Sequence, residues 1–405
     1  MINIAVMGYG TVGTGVVNVL KDNEALITER VGQGVNVKYV LDLRDFPGTP
    51  IQDKIIHDFD VLLQDDEVKI VVEVMGGLEP AYTFVKKCLQ AGKHVVTSNK
   101  ALVAQHGADL FRVAKEKNVK FLFEASVGGG IPIIRPLVTS LSADEVEEIT
   151  GILNGTTNYM MTKMFYEGAN YADVLKEAQA NGYAEADPTA DVEGHDACRK
   201  IAILSSVITG KRVDFEEIYT EGISKISAED MQYAKAKNMT IKLLATAKKN
   251  EFGIKAIVAP FMLQATHPLY SVNDVFNAVF IRGNMLGEAM FYGQGAGELP
   301  TASAVVSDIV EAAFDSDKSM LASWTQDKQE LRDNGKVRRT FFVRIQGDKQ
   351  ALENELREKF GVSEFVSVDG LKEEFAFFTD KMTEEDYAQK AQAYPNILGC
   401  IRVEM

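Results

Sequence analysis

Ile2-Asn-Ile-Ala-Val-Met7, running directly into Gly8-Tyr-Gly-Thr-Val-Gly13, decides the fold. A short apolar strand enters a G-x-G-x-x-G turn, and Thr14 to about Glu29 then reads as a helix. Gly8, Gly10 and Gly13 allow a tight turn, close approach to a pyrophosphate and close packing of strand on helix. A phosphate would sit on backbone N–H groups at the helix start. A tight turn without a ligand fits the glycines alone; the strand and helix around them favour a dinucleotide.

An α/β unit extends from this start. Val35 to Leu41 reads as the second strand and ends in Asp42-Leu-Arg-Asp45. A carboxylate there would bind the ribose 2′-hydroxyl of NAD, whereas Arg44 would accept the 2′-phosphate of NADP. Both residue types are present, and both also suit a solvated loop. Val68 to Gly77 is a mostly apolar strand ending in two glycines, as expected of a buried parallel strand. A helix follows from Pro80 to Ala91, closed by Gly92. His94-Val-Val-Thr97 is the next strand, with Ser98-Asn99-Lys100 at its carboxyl end. Ligands bind beyond that end in open α/β sheets, which makes Lys100 a better site candidate than a surface lysine, with a plain loop charge as the alternative. A helix near Gly107–Lys117 and a strand near Val119–Phe123 lead to Glu124-Ala-Ser-Val-Gly-Gly-Gly-Ile-Pro132. Three glycines after an acid suit a loop whose carbonyls turn toward a small cation or substrate, or a hinge, or both.

A second run carries the chemistry: Glu185-Ala-Asp-Pro-Thr-Ala-Asp-Val-Glu-Gly-His-Asp-Ala-Cys-Arg-Lys200. Asp187-Pro188 interrupts regular structure, and Asp191 suits an N-cap. From about Gly194 the apolar residues Ala197, Ile201, Leu204 and Ile208 recur at helical spacing. Asp196 and Lys200 then share one face. A solvated helix carries such pairs too. Here the charges run straight into an apolar helix, so they sit at the edge of a core, where a partly dry lysine can move a proton. Around this run, Val146–Leu153 reads as a strand opening Asn154-Gly-Thr-Thr-Asn158, and Tyr171–Asn181 as a helix closed by Gly182. Strands and helices alternate to about Val258, and Gly293 to Thr301 is a glycine loop opening a helix near Thr301. Residues from about 316 to 336 read as a polar linker containing the only tryptophan, Trp324. The remainder reads β-α-β-β-α-β, a ferredoxin-like α+β module.

Composition narrows the function. A net charge of -15 argues against nucleic acid as a partner. Cys88, Cys198 and Cys400 have no paired spacing and suit a reducing compartment. The N-terminus lacks a basic region before its apolar run, and no stretch of about eighteen apolar residues would span a membrane. A cytoplasmic protein is expected.

Taken together, these motifs resemble those of the homoserine dehydrogenases over roughly residues 1 to 315. The resemblance rests on Gly8 to Gly13, Ser98-Asn-Lys100, Glu124 to Pro132, Asn154-Gly-Thr-Thr157, Gly182 to Lys200 and Gly293 to Thr301, in that order. It implies reversible NAD(P)-dependent interconversion of L-homoserine and L-aspartate 4-semialdehyde, on the route to threonine, methionine and isoleucine. NADP is slightly favoured over NAD. It implies Lys200 as proton donor or relay and Lys100 as a second functional lysine near cofactor and substrate. Glu185, Asp191 and Asp196 match substrate acids, with Tyr183, Gly155 and Thr156 beside them. Tyr9, Thr11, Val12 and Gly297 match cofactor contacts. Glu124, Val127, Gly129 and Ile131 match a loop that holds sodium or potassium, mostly through carbonyls.

The implied architecture is a Rossmann-type doubly wound domain over residues 1–130, completed by a helix from about 301–315. A substrate-binding, catalytic and dimerisation α+β domain spans 131–300, and the linker 316–336 leads to residues 337–405. That last module resembles an ACT domain, which implies an amino-acid effector such as threonine. Its first ligand loop departs from the pattern: Gly347-Asp-Lys-Gln-Ala-Leu352 has no glycine after the aspartate. A homodimer or homotetramer is expected. Two rivals remain at this point. A thiohemiacetal enzyme on the same scaffold needs a reactive cysteine, and a cofactor-binding regulator predicts dinucleotide binding without turnover.

Overall fold

The structure is a computed structural model that describes residues 1–314 and 320–404. Six parallel strands form the first sheet: β1 (Ile2–Met7), β2 (Val35–Leu41), β3 (Ile55–Ile56), β4 (Val68–Glu73), β5 (His94–Thr97) and β6 (Phe121–Leu122). Their order is β3-β2-β1-β4-β5-β6. The central strands are apolar on both faces, and Ile4, Val6, Val71, Val72, Val95 and Val96 are fully buried. Helices α1 (Thr11–Asp22), α2 (Glu24–Val31), α3 (Phe59–Gln64), α4 (Ala81–Gln90) and α5 (Lys100–Glu116) link them. The strand order reverses between β1 and β4, and the crevice beyond that reversal is where such sheets take ligands.

Several elements differ from expectation. The first helix begins at Thr11 rather than Thr14 and breaks at Asn23, which leaves the helical region at ψ 20°. Helix α5 begins at Lys100, seven residues before the expected Gly107, because the Asn99 side chain caps it by accepting from the Leu102 amide at 3.1 Å. Lys100 therefore stands in a helix's first turn and not in a loop.

Beyond α6 (Ile134–Val138) the chain builds a second unit. Strand β7 (Val146–Ile152) precedes α7 (Gly155–Glu167), α8 (Tyr171–Ala180), the short α9 (Thr189–Val192) and α10 (His195–Thr209). Short strands β8 (Lys211–Arg212) and β9 (Tyr219–Thr220) and helix α11 (Ala228–Ala236) follow. The expected alternation then gives way to a long antiparallel hairpin, β10 (Met239–Asn250) and β11 (Gly253–Gln264). Its tight turn is set by Asn250, whose side chain accepts from the Phe252 amide, and by Gly253 at φ 115°. A second hairpin, β12 (Phe276–Gly283) and β13 (Gly287–Gln294), runs into α12 (Glu298–Ala313), which lies against α1. The close approach of these helices requires Gly15, where a Cβ would stand 2.9 Å from the Ala302 Cβ.

Residues 316–319 of the expected linker lie outside the described residues. The rest is not a free tether. Strand β14 (Thr325–Lys328) pairs with β8, and Trp324 is buried edge-on between Phe111 and Phe123, at 4.7 and 5.7 Å. The sole tryptophan thus fastens this stretch to α5. The C-terminal module is β15 (Arg338–Gln346), α13 (Lys349–Phe360), β16 (Glu364–Val366), β17 (Glu374–Phe378), β18 (Met382–Thr383), α14 (Glu384–Ala391) and β19 (Ile397–Glu404). Its strands lie in the order β19-β15-β17-β16, and β19 pairs in parallel with β11, so one eleven-stranded sheet runs through both parts.

Trp324→Ala removes the buried ring, and core aromatic truncation costs about 3–5 kcal/mol. The first thermal transition is therefore expected to fall clearly below that of the parent protein. An unchanged midpoint would mean that residues 320–328 do not hold the fold.

Candidate active site

The sheet and the second unit meet at one carboxylate. Asp196 stands in the first turn of α10 and is 5% exposed. Its Oδ2 accepts from Lys200 Nζ at 2.7 Å, one helical turn on, and its Oδ1 pairs with Lys100 Nζ at 2.8 Å. Lys200 is itself 8% exposed and also donates to the Leu153 carbonyl at 2.7 Å. The Lys100 side chain keeps 41% exposure, so this ammonium faces the crevice. Burial alone would raise the Asp196 carboxyl, but the two ammoniums hold it far below the usual carboxylate range.

Asn154 completes the cluster. It caps α7 by accepting from the Thr157 amide at 2.9 Å. Its Nδ2 donates to Asp191 at 2.8 Å and to Asp196 at 3.0 Å. Asp191 is not the N-cap expected from sequence: it lies within α9, and Gly194, at φ 81°, caps α10 instead. Burial pushes the Asp191 carboxyl above its ordinary value; Asn154 opposes the shift and the neighbouring Asp196 adds to it. Gly155 follows the cap, and a Cβ there would stand 2.7 Å from the Val275 carbonyl. Thr156 donates to the Tyr183 carbonyl at 2.6 Å, and the Tyr183 ring stands against Tyr159 at 5.0 Å. The Glu185 side chain is exposed, and among the described residues only its carbonyl is engaged, by Gln179 at 3.1 Å. The structure thus gathers Lys100, Lys200, Asp191 and Asp196 and leaves Glu185 outside their hydrogen-bond network.

At the crevice's other end, Gly8 adopts φ 97° and Gly10 caps α1. A Cβ on Gly13 would overlap the Gly8 carbonyl, so that close turn admits only glycine. Thr11 and Val12 open the helix, whose first-turn amides have no intrahelical partner. The Tyr9 amide donates to Asp42 Oδ2 at 2.7 Å. Arg44 grips the same carboxylate through Nε at 3.1 Å and Nη2 at 3.2 Å. Against partial burial, these donors hold the Asp42 carboxyl down at about 2. Asp42 and Arg44 therefore form one hydrogen-bonded unit. Gly297 caps α12 at φ 116°, and Glu298, the next residue, packs against Gly15 of α1.

The glycine-rich loop has a dual character. A Cβ on Gly129 would overlap the Gly295 carbonyl, and Gly130 donates to the Gln294 carbonyl at 3.1 Å. Two loops thus cross backbone to backbone. The Glu124 carboxylate accepts from the amides of Ile133, Ile134 and Arg135 at 2.6–2.8 Å. It caps α6. Among the described residues, no donor reaches the carbonyls of Val127, Gly129 or Ile131.

Comparison with known proteins fits this geometry. A family model described as the homoserine dehydrogenase NAD-binding domain matches residues 8–124, and one described as homoserine dehydrogenase matches residues 132–310. The chain belongs to the homoserine dehydrogenase family. A homoserine dehydrogenase of Corynebacterium glutamicum is 46% identical over 319 residues, 77% of this chain and 72% of its own length. One from Helicobacter pylori is 42% identical and covers 85% of this chain and 81% of its own. The crystal structure of a homoserine dehydrogenase from Thiobacillus denitrificans superposes with a TM-score of 0.92 at 35% identity, over 100% of this chain and 98% of that one. A hyperthermophilic archaeal homoserine dehydrogenase in complex with NADPH gives 0.66 at 30% identity, over 77% of this chain and 97% of that one.

As a homoserine dehydrogenase, the protein is an NAD(P)-dependent oxidoreductase that interconverts L-homoserine and L-aspartate 4-semialdehyde. Among the described residues, no helix is long and apolar enough to cross a membrane. Sequence reasoning leaves two buried polar residues beside this cluster and its neighbouring strand without a role. Asn154 reads from sequence only as part of a turn, although an asparagine before a helix is a capping signal. Glu73 is fully buried at the end of β4 and accepts from Thr97 Oγ1 at 2.6 Å, which in turn accepts from the Asn99 amide at 2.9 Å. An acid inside an otherwise apolar strand was the available signal.

Asp191 yields a pH prediction. As pH falls through its raised value, the carboxylate takes a proton and loses its charge, which would end any hold on a substrate ammonium. The kcat/KM for homoserine should therefore fall on the acid side at a pH above the ordinary carboxylate value, and Asp191→Asn should abolish that limb. An identical acid limb in the variant would assign it to another group.

Proposed function

We propose that Lys200 supplies the proton in aldehyde reduction and takes it back in homoserine oxidation. Asp196 carries this reading, because one buried carboxylate fixes both lysine amines at the crevice. Reduction needs a hydride at carbon, which the nicotinamide supplies when bound, and a proton at the carbonyl oxygen. Lys200 holds its donor protons in a dry position aimed by the Leu153 carbonyl. Asp196 stays ionised and so organises the two ammoniums without relaying the proton itself. Asp191 and Asp196 receive the substrate ammonium, with Tyr183, Gly155 and Thr156 shaping the wall and Glu185 on the approach. Lys100 stands between substrate and cofactor and draws the substrate oxygen toward the reacting face.

In this reading Gly8, Tyr9, Gly10, Thr11, Val12, Gly13 and Gly297 cradle the dinucleotide. Arg44 meets the 2′-phosphate of NADP while Asp42 stays turned toward Tyr9, which favours NADP modestly over NAD. The loop carbonyls of Val127, Gly129 and Ile131, with that of Glu124, fit a monovalent cation such as sodium or potassium. Among the described residues the neutral carbonyls of Val127, Gly129 and Ile131 meet no donor, and no acidic or His/Cys cluster suits a metal ion. Residues 1–130 with the helix from about 301 form the cofactor unit, 131–300 the catalytic and dimerisation unit, and 337–405 a module for assembly and for an effector such as threonine. Exposed Met290 and Tyr292 on the edge strand β13 supply an apolar surface for a second copy. The enzyme acts in the cytoplasm on the route to threonine, methionine and isoleucine.

The thiohemiacetal rival loses its nucleophile. Burial pushes Cys88 and Cys400 up to about 12 and raises Cys198, whose thiol faces the Phe215 carbonyl at 3.2 Å. None is a thiolate near neutral pH.

Lys200→Ala should lower kcat by about 10²–10⁴-fold, the usual share of a general acid, while dinucleotide affinity stays near normal. Asp196 keeps Lys100 and Asn154 as partners, so the fold survives. Near-normal turnover would remove Lys200 from the proton step. Arg44→Ala should weaken NADP by roughly 10–100-fold, the loss of a charge-assisted hydrogen bond, and NAD much less. Equal effects on the two dinucleotides would strike out Arg44 as the phosphate reader.

A further inference from the structure

The turn that carries the site acids is not supported only by its own helices. Its outer side rests on residues 219–223, and that segment is held by the C-terminal module. The Ile223 amide donates to the Val192 carbonyl at 2.8 Å. At Gly222 the two backbones touch: a Cβ there would overlap the Val192 carbonyl and the Glu193 Cα. Gly194, the next cap residue, sits over Thr220 and Val258, with 3.1–3.2 Å between its ideal Cβ and their side chains. Asp191 immediately precedes this contact and Asp196 follows it by two residues from Gly194.

Glu221, at the centre of the segment, accepts from Arg402 Nη1 at 2.7 Å and from the Tyr219 hydroxyl at 3.1 Å. Arg402 lies on β19 of the C-terminal module and is 7% exposed. Its other nitrogens grip both oxygens of Glu384 at 2.7 and 2.9 Å, at the start of α14. Arg339 binds the same carboxylate at 3.0 Å. A continuous set of close contacts therefore runs from α14 through Arg402 and Glu221 to the Val192–Gly194 turn.

We propose that Glu221, Gly222 and Arg402 are positioning residues for the reaction: they form a strap by which the C-terminal module sets the place of Asp191 and Asp196. The strap rests on the assignment of those two acids to the substrate ammonium. It touches no cofactor residue named above, so its disturbance falls on one substrate and spares the other. Glu221→Ala is a mild cut, because Arg402 keeps both oxygens of Glu384 and no buried charge is orphaned. Glu221→Gln preserves an acceptor for Arg402. Gly222→Ala is a wedge, since its methyl must push the strap and the acid turn apart.

The test uses the full-length enzyme, with KM measured separately for homoserine and dinucleotide and with thermal midpoints recorded. Glu221→Ala and Gly222→Ala should raise the homoserine KM by about tenfold or more, the scale expected for a small misplacement of a binding group, while the dinucleotide KM stays within about twofold. Glu221→Gln should restore most of the homoserine affinity. Asp191→Asn, as control, should raise the homoserine KM alone. If Asp191→Asn does so and both strap variants leave that KM unchanged, the strap is wrong. Parallel rises in both KM values with a lowered midpoint would reduce it to a general structural contact. An unchanged homoserine KM in Asp191→Asn would overturn the acid assignment itself, and the strap with it.

Discussion

A carboxylate buried between two ammonium groups is the constraint on which the rest depends. Breaking a buried ion pair by removing one partner costs about 3–5 kcal/mol, a figure that applies to Asp196 with Lys200; Lys100, at 41% exposure, is screened by solvent and held less tightly. The two lysines come from different parts of the chain. Lys100 opens the helix after β5 of the parallel sheet, and Lys200 belongs to a helix of the second unit. The site therefore forms only where the two units dock, and the ion triad is itself part of the docking.

Backbone contact is the second device: Gly129 against the Gly295 carbonyl joins the two units, and the contacts of Gly15 with α12 and of Gly155 with the Val275 carbonyl close each unit on itself. Each of these contacts lets a loop or helix approach another backbone more closely than a side chain permits. Glu124 and Asp308 stiffen the same region. The Glu124 amide donates to Asp308 at 2.8 Å, and Arg135 reaches Asp308 while its own amide donates to Glu124. Burial pushes the Asp308 carboxyl up to about 8, with Glu124 adding to the shift and Arg135 opposing it. Acids here organise backbone amides more than they face solvent.

The parallel sheet was legible because its signals are local: an apolar run, a glycine turn, an amphipathic helix. Asp196 and Lys200 were legible for the same reason, since a spacing of four puts them on one face. Lys100 is legible by its place after β5, but the start of its helix is not, because a single capping asparagine is a weak signal beside Lys-Ala. Asn154 and Glu73 act through partners tens of residues away, at Asp191 and at Thr97, and nothing local announces such partners. The stretch around Trp324 read as a linker because its charges dominate. Only the folded chain shows the ring inserted against Phe111 and Phe123. Asp42 and Arg44 were each visible; their pairing was not.

The most direct test is a double-variant cycle on Asp196 and Lys200, with kcat measured at saturating homoserine and dinucleotide. If one carboxylate holds the proton donor in place, Asp196→Asn alone should lower kcat by at least about 10²-fold. Dinucleotide affinity should persist, and adding the lysine truncation should then lower kcat little further, as for residues that act as a unit. Near-normal turnover in Asp196→Asn, or losses that simply multiply in the double variant, would contradict the account.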